Sequence, residues 1–289
     1  MIDSRRLRGY FTVPSSSRST SAVWPTDATV FAVLAWTSVA LVVVEFLLIP
    51  FRTARLWPNL LAQLAPGVRY GTIAAAPATL VRDAPWWGAL ATYAWWTVGM
   101  LLFWVAVPAA ILSHGRARED GREGGRKLPF TLRVPFTRSA WLPYLLLILV
   151  MLPLLALAST QAGFLTTYPM LRPSQTGAWS WTLLLLYWTM YATVLACTEF
   201  LFRGVLLFTL ESRLGVNAVL VSVLPYCLIH VHKPLLEALG SIVAGIVLGV
   251  LALRTRSIGG GVVVHVAVAL GMDALALVRT GGFPQAFWP

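Results

Sequence analysis

Long apolar runs, separated by short basic connections, recur from residue 28 to residue 280 of this 289-residue chain. A bilayer core offers no water to exposed N–H and C=O groups, so a spanning segment must satisfy its backbone internally. Only helices and closed barrels do so. The runs are close to the ~20 residues that cross a hydrocarbon core as a helix, and they lack strand alternation. Only 11% of the residues are charged, against roughly 25% in soluble domains. The chain therefore reads as an all-α, polytopic transmembrane helical bundle of about seven spans. Thirteen Trp residues suit it, because Trp gathers where helices cross the interface.

The formal net charge of +11 raises the question of nucleic acid. Its placement answers against it. Arg5, Arg6, Arg8 and Arg18 lie before the first run, seven Lys and Arg lie between Arg116 and Arg138, and Arg213, Arg254 and Arg256 lie at later run ends. This is the positive-inside pattern, with the N-terminus in the cytoplasm and lipid as the anionic neighbour. The partners expected are the bilayer and a membrane protein or lipidated peptide, with no nucleic acid.

In order, residues 1–27 read as a basic cytoplasmic tail and 28–112 as an N-terminal membrane region. Within the latter, 51–85 is an ambiguous interfacial or re-entrant piece, its Arg52, Arg55, Arg69 and Arg82 departing from the charge rule. Residues 113–139 read as a flexible basic cytoplasmic loop, 140–280 as the core and 281–289 as a short tail. Pro143 and Pro153 predict a kink or break in the third span. Ser241, Gly245 and Gly249 form a stripe of small residues that lets helix backbones approach closely.

Costly polar groups concentrate in the last third. Glu199 and Arg203 are four apart, as are Tyr226 and His230, while His265 and Asp273 are eight apart. Each such pair shares a helical face. A charge at mid-span costs about 2.5–3.5 kcal/mol on the insertion scale. Either Glu199 and Arg203 staple each other, or these faces line a shared polar cavity. A buried carboxylate beside a neutral imidazole can take a proton from water, and a second histidine can donate to an oxyanion. Glu199, His230 and His265 thus suffice in kind for peptide hydrolysis by water, with Arg203 orienting Glu199. The same residue types bind zinc, but no His-Glu-x-x-His helix is present, so the site is read without a metal or other cofactor, zinc being the alternative. Cys197 and Cys227 read as small buried hydrophobes. Tyr226 and Asp273 are placed as substrate-binding groups, with packing and pairing as their alternatives.

Three ordered motifs, Thr198-Glu199-Phe-Leu-Phe-Arg203, Tyr226-x-x-x-His230 and His265-x-x-x-Ala269, resemble the Glu-Glu-x-x-x-Arg, aromatic-x-x-x-His and His-x-x-x-Asn pattern of the CPBP family of intramembrane proteases. That family includes the CAAX prenyl endopeptidases and the bacterial Abi proteins. The resemblance covers roughly residues 178–280. It implies an intramembrane endopeptidase of the bacterial inner membrane that acts on the C-terminal or membrane-proximal segment of a protein. Glu199 would activate water with His230, and His265 would stabilise the oxyanion. Two positions depart from the pattern: Thr198 stands where the family has the first glutamate, and Ala269 where it has asparagine. Either Glu199 takes over as base, with Asp273 or a water helping, or the scaffold persists as a non-catalytic membrane protein that binds a partner. A transporter would show repeat symmetry between halves, which the sequence lacks.

Overall fold

A computed structural model describes residues 27–49, 86–120, 128–133, 138–161, 163–173 and 179–288. The expectations for the basic tail and for 51–85 fall outside these residues. Among the described residues the regular secondary structure is helical, joined by turns and by two isolated bridges. In order come α1 (Asp27–Val43), α2 (Trp86–Met100), α3 (Val107–Asp120), α4 (Arg138–Ala158), the single-turn α5 (Phe164–Thr167), α6 (Trp181–Glu199), α7 (Leu207–Leu214), α8 (Ala218–Leu228), α9 (Leu235–Thr255) and α10 (Gly259–Thr280).

Among the described residues, six helical stretches are long and apolar enough to cross a membrane. The one from Trp181 to Leu228 has 48 residues, or about 72 Å at the α-helical rise, more than twice the hydrocarbon core. It is interrupted at Gly215, whose φ of 55° is left-handed and suits a residue without Cβ. From there α8 packs back on α7. One stretch thus supplies two of the expected spans. The protein is an integral membrane protein with a polytopic helical bundle.

The chain divides into two compact units, residues 1–38, 105–149 and 198–265, and residues 39–104, 150–197 and 266–289. In the first unit, α6 gives way after Glu199 to a seven-residue π-helical segment, Phe200–Leu206, every residue of which is buried. Single π turns inside α-helices are frequent at functional sites. α8 packs on α9 where the small-residue stripe predicts a close approach. A Cβ on Gly249 would lie 2.9 Å from Val219, and one on Gly245 would lie 2.9 Å from Val223.

The expected basic loop is ordered in two places. Helix α3 continues to Asp120, and residues 128–133 are pinned beside the start of α10. Thr131 N donates to Arg256 O, and Ile258 N donates to Thr131 O. The physical reason is Phe130. Its ring stacks on Phe208 at 5.5 Å and meets Phe200 edge-on at 5.4 Å, and a Cβ on Gly204 would come within 2.5 Å of it. One buried aromatic anchors a segment whose charges suggested only solvent.

The second unit is organised by hydrogen bonds between helices. Arg279 donates to the carbonyl oxygen of Ser159 at 2.6 Å. The first turn of α6 is closed by the segment after α10: Trp181 N donates to Ala286 O, Thr182 N to Phe287 O, and the Trp179 indole to Gly282 O. Helix α4 runs unbroken through Pro143 and Pro153, so no break occurs there.

Candidate active site

Glu199 is the last α-helical residue before the π segment and has no solvent exposure. Its Oε1 accepts from Arg203 Nη1 at 2.9 Å and from His265 Nδ1 at 2.8 Å. The i, i+4 spacing that put Glu199 and Arg203 on one face therefore becomes a buried ion pair. The third partner comes from α10, whose Gly259-Gly260-Gly261 start has room for three neighbours. A Cβ on Gly259 would strike Leu132 O at 2.5 Å, one on Gly260 the Tyr144 ring at 2.5 Å, and one on Gly261 would lie 3.0 Å from Glu199 Oε2. Glu199 Oε2 and Arg203 Nη2 are buried without a hydrogen-bond partner among the described residues.

Tyr226 is the hub of the cluster. The Arg203 guanidinium lies 3.7 Å above its ring, a cation–π contact worth about 0.5–2 kcal/mol. The same ring lies 4.7 Å from that of His230 and 6.1 Å from that of His265. Its carbonyl accepts from His230 Nδ1 at 2.9 Å. A carbonyl only accepts, so the proton is on Nδ1 and the neutral ring carries its lone pair on Nε2. His230 lies in the turn after α8, and burial, with the Lys233 ammonium adding to it, pushes its imidazole down to about 3.

The structure brings Glu199, Arg203, Tyr226, His230 and His265 into one cluster within the first unit. Asp273 belongs to the other unit. There its fully buried carboxylate accepts from the Tyr187 hydroxyl at 2.6 Å, the Trp188 indole at 3.3 Å and Met170 N at 3.1 Å. His232 is exposed. Thr198 is buried beside Glu199, and Ala269 is buried. Among the described residues, no group of three His, Cys, Asp or Glu side chains is placed to hold a metal ion. Sequence reasoning missed Gly261 and the Tyr226 carbonyl. A triple glycine opening a helix was the available signal for the first, and nothing signalled the second.

Such a cluster has the parts for hydrolysis: a fixed carboxylate, two imidazoles with defined tautomers, and a guanidinium balancing charge. Residues 179–271 match the family model described as type II CAAX prenyl endopeptidase Rce1-like. The matched stretch contains all three motifs, so the resemblance to the CPBP proteases holds over it. No curated protein and no solved structure matches the chain.

Proposed function

We propose that this integral membrane protein is an intramembrane endopeptidase that hydrolyses a peptide bond in the C-terminal or membrane-proximal segment of a protein substrate, a lipidated tail among the candidates. The observation that supports it most directly is the shared, fully buried Glu199 oxygen, held between Arg203 and His265. Buried charge in a membrane is retained where it faces a partner or a reaction. Here Arg203 orients Glu199, and His230 presents Nε2 beside the same tyrosine ring that meets His265. Water activated within this cluster attacks the scissile carbonyl. Removing water from the surroundings strengthens each electrostatic contact to the developing charge. The side chains supply the chemistry without a resident metal. The protein sits in a bacterial inner membrane with its N-terminus in the cytoplasm, as the basic connections favour.

The test is cleavage of lipidated C-terminal peptides by the purified protein in detergent. Glu199→Ala and His230→Ala each abolish processing; retention of activity in both variants would sink the mechanism. The second reading, a non-catalytic scaffold that binds a partner, is favoured by Thr198 and Ala269 at the two departing positions. It predicts binding without product in the native chain, and product only in Thr198→Glu.

A further inference from the structure

We infer that the proton-accepting atom of this site is Nε2 of His265, with Glu199 as the positioning carboxylate that orients the ring and balances its charge. This assignment rests on the endopeptidase reading and deepens it. It replaces the oxyanion role that the motif resemblance implies for His265.

Three observations decide between the two oxygens of Glu199 and the two histidines. The first is access. Glu199 is 0% exposed and Arg203 3%, whereas the His265 side chain is 13% exposed. The free oxygen Oε2 is buried and faces the backbone at Gly261, where even a methyl group would lie 3.0 Å away. Of the two hydrogen-bonded groups, only the imidazole has accessible surface at which a reactant could meet it.

The second is the proton inventory. A carboxylate accepts, so Nδ1–H of His265 donates to Glu199 Oε1 at 2.8 Å, and the neutral ring has its lone pair on Nε2. An oxyanion donor would need a second proton there. The third is charge balance. His265 gains a proton next to a carboxylate, which stabilises an imidazolium as in a carboxylate–histidine dyad. His230 gains one beside a neutral carbonyl, with Lys233 in its turn and Arg203 over the adjoining tyrosine ring. His230 Nε2 is accordingly a fixed acceptor that places the attacking water.

The step balances. His265 Nε2 takes one proton from water, the water oxygen bonds to the scissile carbonyl carbon, and the C=O pair moves to oxygen. On collapse the C–N bond breaks, and the imidazolium returns that proton to the leaving nitrogen. One water is consumed, and a carboxylic acid and an amine are formed.

The Glu199 carboxylate and the Tyr226 ring meet His265 directly; the other titratable or charged groups around this pair are Arg203 on Glu199, His230 on Tyr226, and Tyr144 from α4, whose ring abuts Gly260. The test is the pH dependence of single-turnover cleavage in detergent, together with ¹⁵N spectra of the histidine rings. A base must be unprotonated, so the rate is expected to fall as pH drops through the titration of His265 seen in the spectra. His265→Ala should lose about 10²–10⁴-fold and regain part of it with added imidazole, which a merely structural histidine would not allow. A rate that instead falls as pH rises through that titration makes His265 an imidazolium donor and overturns the assignment alone. Absence of rescue with a correctly folded variant does the same. A chain that cleaves no lipidated or membrane-proximal peptide, while its spectra still show Nδ1–H on His265, overturns the endopeptidase reading and the base with it.

Discussion

Replacing Arg203 by Met isolates what the central ion pair contributes. Met keeps the length and apolar volume of the Arg stem and removes its charge. In the native protein the guanidinium is 2.9 Å from Glu199 Oε1, with exposures of 3% and 0%. At an effective dielectric of 20 this separation corresponds to about 6 kcal/mol of attraction, an upper bound on the net effect because both ions were desolvated. Breaking a buried pair from one side costs about 3–5 kcal/mol, because the remaining charge has no counterion. The cation–π contact with Tyr226 adds about 0.5–2 kcal/mol. His265 remains hydrogen-bonded to the same oxygen and, protonated, would offset part of the loss. The expected destabilisation is therefore about 3–4 kcal/mol. Glu199→Gln combined with Arg203→Met removes both charges and should recover at least ~1.5 kcal/mol of it, since contacting partners are strongly non-additive. Reversible unfolding in mixed micelles for the wild type, both single variants and the double variant gives the cycle. An Arg203→Met loss below about 1 kcal/mol, or strict additivity, would show that the pair is solvated and would remove the basis for a fixed carboxylate.

Gly204→Leu drives a Cβ to 2.5 Å from the Phe130 ring; the expected loss is about 1–3 kcal/mol, with faster proteolysis near residue 130, and an unchanged unfolding profile would show that Phe130 does not anchor its segment. Gly261→Ala places a methyl 3.0 Å from Glu199 Oε2 and should lower kcat by no more than about tenfold if His265 is the base, whereas a loss of about 10²–10⁴-fold would return the proton to that oxygen. His230, held at about 3 against an ordinary ~6.5, binds its proton more readily in the unfolded chain. Its contribution to stability is full above pH ~6.5 and declines as pH falls towards 3, so acidification from pH 7.5 to 4.5 should destabilise the wild type more than His230→Gln. Equal losses would mean that His230 is open to solvent.

The apolar runs and the spacing of Glu199, Arg203, Tyr226, His230 and His265 were legible because burial cost and helical period act locally. Other features depend on partners distant in sequence. Phe130 stands in a short uncharged stretch between Lys127 and Arg133 of a basic connection, and its meaning comes from Phe200, Phe208 and the gap at Gly204. The π segment, Phe-Leu-Phe-Arg-Gly-Val-Leu, keeps the helical spacing of its polar residues, and nothing in its residue types distinguishes a π turn from an α turn. Asp273 shares a helix with His265, yet Tyr187, Trp188 and Met170 take up its oxygens. Pro143 and Pro153 signal a break, but α4 continues through both, as transmembrane helices tolerate.

The closure of α6 by residues 282–287 has a consequence for the order of assembly. The N–H groups of Trp181 and Thr182 are bonded to carbonyls at positions 286 and 287, residues synthesised about a hundred positions later. When α6 first enters the bilayer, its leading amides have no protein partner, and unpaired amides in hydrocarbon cost several kcal/mol each. They must stay near the headgroups until the closing segment arrives. Docking of that segment is therefore a late step in biogenesis, and a chain stopped before residue 286 would insert its helices yet leave the one leading to Glu199 open at its start.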